Sequence, residues 1–317
     1  MGFLLPLLSL AAVACGPPLE GDCPHGHLDP RYCDRDGDLV ADTPDDPGLI
    51  LDPSTLIFAY TPVEDPAQFR EVWVDFLDHM EATVGRAVRF FPVQSNAAQI
   101  EAMRAGRLHV AGFNTGSVPL AVSCAGFVPM TMMAREDGSY GYEMEILAHA
   151  DGDIRTVEDL RDRTLAFTSP TSNSGYKAPS VLLEEEFDLL PGRDFEATFS
   201  GRHDNSVLGV LHGDYEAAAV ANIVIDQVLA RGVGDPDDLR VLYRSETFPT
   251  TAYGVSNRLD PELADRVRRS FRTFAWEGSA LAAEFAPEAR FVPITYEEHW
   301  SVIRRIDQAS GVEWRCR

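Results

Sequence analysis

Leu165-Ala-Phe-Thr-Ser-Pro-Thr-Ser-Asn-Ser-Gly-Tyr-Lys177 joins a short apolar run, a turn crowded with hydroxyls and the start of a helix. The apolar run reads as a buried strand that ends at Thr168. Ser169, Thr171, Ser172 and Ser174 fill the turn, Gly175 permits close backbone approach, and an amphipathic segment follows. The turn also carries chemistry. A helix N-terminus exposes unpaired N–H groups and the positive end of its dipole, so it attracts anions. Ser and Thr are ordinary helix caps, but four hydroxyls within six residues, beside a glycine, exceed what a cap needs. They point to an oxyanion site. The chain contains no Gly-x-x-x-x-Gly-Lys-[Ser/Thr], so the turn is not a nucleotide P-loop.

The same alternation extends on both sides. Upstream, strands at 56–60, 87–91 and 108–113 alternate with helices at 66–84 and 96–105. The first helix carries Phe69, Val72, Trp73, Phe76, Leu77 and Met80 at helical spacing. A strand at 142–148 precedes a second series: strand 164–167, helix 174–187, strand 196–200, helix 205–211 and strand 217–220. The chain then returns through 251–255 to C-terminal helices at 261–276 and 296–306. The expected fold class is α/β, with parallel strands covered by helices. Two such lobes crossed twice by the chain make a bilobal clamshell. The expected lobes are 55–153 with 245–317, and 154–244.

At 317 residues and 45% hydrophobic content the chain can bury a core in about two domains. Fifty acidic residues against 27 basic ones leave a formal charge of −23, which argues against nucleic acid as a partner. An anion site in such a field must work through locally aimed dipoles. Lys177 is the only lysine, and the first reading of that is compositional bias.

Phe3 to Val13 is nearly all apolar, too short to span a membrane as a mature helix, and leads into Ala12-Val13-Ala14-Cys15-Gly16. Residues 1–14 therefore read as a signal peptide of the lipobox type, with Cys15 acylated and the protein held at a periplasmic or cell-surface membrane. Cys23, Cys33, Cys124 and Cys316 then remain, an even number in an oxidising compartment. Cys23–Cys33 is the expected local bridge, and Cys124–Cys316 would tie the C-terminus to the first half. The count alone leaves the pairing open.

Residues 15–54 are rich in Pro, Gly and Asp and read as an acidic tether. Within it, Asp34, Asp36, Asp38, Asp42 and Asp45, with the Val40 carbonyl, match the oxygen spacing of a calcium loop. The arrangement resembles the aspartate-rich repeats of thrombospondin type 3 and suggests one structural Ca²⁺. No other cofactor is expected. His25 and His27 fit no zinc spacing, and His299 with Trp300 reads as part of a packed C-terminal helix.

Together, the export segment, the two α/β lobes and the 165–175 stretch resemble the phosphate/phosphite/phosphonate-binding proteins of ABC transporters. Further matches are Phe58-Ala-Tyr60-Thr-Pro, Gly112-Phe-Asn-Thr-Gly116, Phe199-Ser-Gly-Arg-His203-Asp204-Asn-Ser206, Gly213-Asp-Tyr-Glu-Ala-Ala-Ala219 and Tyr296-Glu-Glu-His-Trp300. The resemblance covers roughly residues 55–306 and implies a periplasmic-binding-protein fold. It implies that Ser169, Thr171, Ser172, Ser174 and Gly175 hold phosphonyl oxygens and that His203 bonds one of them. Tyr60, Asn114 and Thr115 would contribute from the other lobe, each following a strand's C-terminal end, where open α/β sheets bind ligands. Family members often carry an aspartate where this chain has Asn222, and its loss should weaken any aminoalkyl preference.

Nothing in the sequence assembles a catalytic machine: it has no Gly-x-Ser-x-Gly elbow and no His-Glu-x-x-His. The expected function is capture of a phosphorus oxyanion between two lobes for delivery to an ABC permease. Alternatives are a ligand-sensing input subunit for a signalling receptor, a periplasmic hydrolase, and a calcium-dependent adhesion lipoprotein.

Overall fold

The computed structural model describes residues 23–62, 69–309, 311 and 316. The expected signal segment and Cys15 lie outside them, as does the start of the helix expected from residue 66. The chain begins with β1 (Thr55–Tyr60), α1 (Phe69–Val72), α2 (Val74–Val84), β2 (Ala87–Phe90), α3 (Asn96–Arg104), β3 (Val110–Phe113), α4 (Val118–Ala125) and β4 (Phe127–Ala134). It crosses to β5 (Met144–His149), β6 (Thr164–Phe167), α5 (Ala178–Phe187), β7 (Glu196–Phe199), α6 (His203–His212), β8 (Ala217–Ala221), α7 (Asn222–Ala230) and β9 (Leu239–Arg244). It returns through β10 (Ala252–Ser256), α8 (Pro261–Thr273), α9 (Ala280–Glu284), β11 (Arg290–Pro293), α10 (Tyr296–His299) and α11 (Ser301–Ala309).

Two sheets result, one ordered β11-β4-β10-β3-β1-β2 and the other β7-β6-β8-β5-β9. β1 runs parallel to β2 and β3, and β6 parallel to β7 and β8. In each sheet the strand arriving from the other lobe, β10 or β5, runs antiparallel to its neighbours. The two crossings pair with each other where Tyr142 and Phe248 exchange backbone bonds of 3.0 and 2.7 Å. This antiparallel pair is the hinge.

The first crossing falls earlier than expected. Residues 144–153 were assigned to the first lobe, yet β5 hydrogen-bonds to β8 and β9 in the second sheet. An apolar run such as Met144–His149 announces a buried strand but not the sheet it enters.

Around Phe58, Trp73 and Phe76, all fully buried, α2 and α8 cover one face of the first sheet. Each such side chain contributes about 1.5–3 kcal/mol on burial. A second apolar cluster is continuous from Phe113 and Phe127 in the first lobe to Leu147 and Leu165 in the second. No helix among the described residues is long and apolar enough to cross a membrane.

Residues 23–54 are not a free tether. Leu28, Tyr32 and Ala41 are buried. Asp29 N–H donates to Ser123 O at 2.8 Å, Asn257 Nδ2 to Asp42 O at 2.8 Å, and Leu51 N–H to Arg258 O at 2.6 Å. The segment is a strap docked on the first lobe, held by a few apolar anchors too widely spaced to show a period. Cys23 pairs with Cys33 and Cys124 with Cys316, as expected.

Within the strap, only Asp34, Asp36 and Asp38 of the expected calcium ligands bring carboxylate oxygens within 4.8 Å of one another. Asp42 and Asp45 instead engage Arg35, at 3.2 and 2.6 Å. Asp34 accepts the Gly37 and Leu39 N–H groups, and Asp38 accepts that of Val40. Calcium takes six to eight oxygens, so this geometry brings together half of the expected set and leaves the rest to turn-making and ion pairs.

Candidate functional site

The hydroxyl-rich turn folds around its glycine. Thr168 N–H donates to Gly175 O at 2.9 Å, and a Cβ on Gly175 would lie 1.9 Å from Thr168 Oγ1, so no larger residue fits. Ser172 caps the next turn, its Oγ accepting the Gly175 N–H at 3.0 Å. One π-helical turn, Asn173–Lys177, leads into α5, so the α-helix starts four residues later than expected.

His203, the first residue of α6, faces this turn from the neighbouring strand connection. Its Nδ1 accepts the Ala221 N–H at 3.1 Å, and its Nε2 lies 3.1 Å from Ser172 Oγ. The occupied Nδ1 places the hydrogen on Nε2. Complete burial lowers its pKa to about 4, so the ring is neutral at physiological pH. Ser172 Oγ therefore receives two hydrogen bonds, from Gly175 N–H and His203 Nε2–H. Its own hydrogen must point elsewhere.

It lies on the wall of a cavity of 370 Å³ between the lobes, with Ser174, Asn173 and His203 from the second lobe. Tyr60, Asn114 and Thr115 line it from the first lobe, and Asn222 from the start of α7. A smaller recess shares Asn114, Ser172 and His203 and is also lined by Ser169 and Arg202. Seven of the expected contacts thus surround one space, and Ser169 borders the recess beside it.

Three expected contacts have other partners. Thr171 borders neither space: its Oγ1 accepts from Asn96 Nδ2 at 2.8 Å across the lobes. Gly175 shapes the turn without lining the cavity. Thr115 lines it, but its hydroxyl donates to Pro249 O in the hinge at 2.6 Å. His203 is also not oriented by Asp204, whose carboxylate accepts from Asn205 N–H and Arg202 Nε. Asn222 Oδ1 accepts the N–H groups of Glu143 and Ile223 at 3.0 and 2.8 Å, which ties α7 to the hinge.

Several residues at the site carried no sequence signal. Tyr142, Thr250 and Thr251 come from the crossings, where no motif marks them. Tyr142 is buried, and Asn173 Nδ2 donates to its hydroxyl at 3.2 Å. Phe285 and Tyr253 extend the aromatic group around Tyr60, with ring centroids 5.8 and 6.4 Å away. Asn173 stood in the motif, flanked by the serines that drew attention.

Lys177 proves structural. It is 1% exposed, and its Nζ donates to Gly116 O at 2.6 Å and lies 2.9 Å from Asp307 Oδ1 in α11. Burial pushes the Lys177 pKa down and that of Asp307 up, and their attraction opposes both shifts. Trp300 Nε1 meanwhile donates to Thr115 O at 2.9 Å, so the C-terminal helices touch both walls of the cleft.

Two α/β lobes hinged by two crossings, with hydroxyl and N–H donors at strand ends facing the cleft, define a solute-binding protein. The family of phosphonate ABC-transporter periplasmic substrate-binding proteins matches residues 58–300, and the chain belongs to it. It is 26% identical over 275 residues to the phosphate-import protein PhnD of Mycolicibacterium smegmatis, covering 83% of this chain and 85% of that one. Its fold matches the binding component of a Pseudomonas aeruginosa ABC phosphonate transporter with a TM-score of 0.74 at 20% identity, over 82% of this chain and 87% of the other. PhnD1 of Prochlorococcus marinus, solved with methylphosphonate, matches at 0.71 and 16% identity, over 81% and 98%.

Proposed function

We propose that this chain is an extracytoplasmic lipoprotein that closes on a phosphorus oxyanion (phosphonate, phosphite or phosphate) and delivers it to an ABC permease. The ligand assignment rests on Ser172, whose oxygen holds two donated bonds and whose hydrogen is left for an acceptor in the cavity. Ser174, Asn114 and the Asn173 and Asn222 amides stand around the same space. Bonds to a charged oxygen contribute about 1.5–3 kcal/mol each. Roughly four of them, less the cost of ordering and closure, support micromolar to nanomolar affinity. Capture proceeds by hinge closure about the Tyr142–Phe248 pair. The Mycolicibacterium and Prochlorococcus relatives support a ligand of this class.

Serine hydroxyls held by a neutral histidine bind an oxyanion without attacking it, which favours transport over hydrolysis. Acylation is supported by the apolar run before Ala12-Val13-Ala14-Cys15 and by the pairing of the four other cysteines. Calorimetric titration of the full chain with phosphate, phosphite, methylphosphonate and 2-aminoethylphosphonate at neutral pH tests the ligand. Micromolar or tighter binding of one of them is expected, and no heat from any would refute it. Palmitate labelling that persists in Cys15→Ala would refute the anchor.

A further inference from the structure

The cavity is larger than the group its polar side is built to hold. Its 370 Å³ would take roughly a dozen waters at about 30 Å³ each, whereas a phosphoryl group has only a phosphorus and three oxygens to place. Parted lobes do not explain the excess, because the lobes are bridged at two separate places. Asn96 reaches Thr171 at 2.8 Å, and Arg231 at the end of α7 reaches Glu284 in α9 at 2.7 Å.

The lining is also divided in kind. Ser172 and His203 form one contiguous polar patch. Tyr60, Tyr253, Phe285 and Met133 form another, apolar one: Tyr60 contacts both other rings, and the Tyr253 hydroxyl lies 3.7 Å from Met133 Sδ. A small anion would occupy the first patch and leave the second against water. Apolar surface that stays wet contributes nothing to affinity, whereas covering it is favourable.

Resting on the anion-binding reading above, we propose that the ligand is a phosphonate or phosphate monoester with an apolar substituent of aromatic size. Its phosphorus oxygens take the hydroxyl patch and its substituent packs on Tyr60, Tyr253, Phe285 and Met133. Glu284 is engaged by Arg231, Arg135 acts on Glu288, and Asp226 lines the cavity from α7. Three carboxylates against one arginine on the lining disfavour a second anionic group on the substituent, and titration with 2-aminoethylphosphonate weighs a cationic substituent against the apolar wall.

The test is calorimetric titration of the full chain at pH 7 with phosphate, methylphosphonate, 2-aminoethylphosphonate, phenylphosphonate and phenyl phosphate. Phenylphosphonate or phenyl phosphate should bind at least about tenfold tighter than methylphosphonate, and the pair separates a carbon–phosphorus link from an ester. In a linear alkylphosphonate series affinity should rise about fourfold per methylene until the wall is covered. Phe285→Ala should weaken phenylphosphonate about tenfold and move phosphate by less than about twofold. Phosphate, methylphosphonate or 2-aminoethylphosphonate binding as tightly as the phenyl compounds would overturn the proposal while leaving the anion reading intact. Heat from none of the five would overturn both.

Discussion

The 3.1 Å contact between His203 Nε2 and Ser172 Oγ runs in one direction, because Ala221 N–H already occupies the other ring nitrogen. The histidine is the donor and the serine oxygen the acceptor, which leaves the serine hydrogen for the cavity. Neutral histidine suits this task, since a buried cation would have to be desolvated each time the cleft formed.

His203 should also set an acid limit. Its pKa falls from 6.5 to about 4 on folding. The unfolded chain binds the extra proton, so this part of the stability is complete above pH 6.5 and is lost as pH falls towards 4. The loss amounts to about 3 kcal/mol. Denaturant unfolding between pH 7 and 4 should show it, and His203→Gln should lack that part of the slope. Equal slopes would mean the ring is not held neutral.

Ser172→Ala with Ser174→Ala should weaken oxyanion binding by at least about tenfold. Ser172→Ala also strips the Gly175 N–H and the His203 ring of their shared acceptor. Titration with the parent's tightest ligand reads this out, and unchanged affinity would remove the turn from the site.

Asn222→Asp should fold normally, because a carboxylate accepts the Glu143 and Ile223 N–H groups as the amide oxygen does. The added negative charge opposes a dianion more than a monoanion. Affinity should therefore fall more steeply than in the parent as pH rises through the ligand's second ionisation. Superimposable pH profiles would show that Asn222 does not sense the ligand.

Gly116→Ala should hold the lobes apart. A Cβ there would lie 2.4 Å from both Asn173 N and Thr171 O, backbone atoms with little room to retreat. Small-angle scattering should give a larger radius of gyration than the parent with ligand present, with weaker binding. An unchanged radius would mean that the contact yields locally.

Asp307→Asn should lower stability by about 3–5 kcal/mol, the usual result of stripping one partner from a buried ion pair. Lys177→Met combined with Asp307→Leu should recover most of it. Thermal melting of the three proteins decides this, and a single variant as stable as the parent would show the pair to be dispensable.

The alternation of strands and helices around 55–113 and 164–220 was legible because nearly every element there has one buried face or a short apolar run, the exposed edge strand β7 excepted. α4 and β4 were not, since Val118–Ala134 is apolar almost throughout and shows neither a helical nor a strand period. The crossing point was missed because β5 looks the same whichever sheet it enters. At the site, the serines and His203 were legible through their motif, while Tyr142, Thr250 and Phe285 reach the cleft only through the hinge and a distant loop. Thr171 shows the opposite failure: the right residue type stood at the right place, but its partner, Asn96, lies across the cleft.

Lys177 is the chain's single lysine, and it is sealed between Gly116 and Asp307. A lysine-specific protease therefore has one peptide bond to cut in the whole molecule, and only an opened molecule exposes it. Digestion would act as a clock on opening. The Cys124–Cys316 bridge spans the cut, so after reduction of the digest two fragments would be resolved in amounts that follow the rate at which the lobes part, and a ligand that keeps them together would slow that rate in proportion to its occupancy.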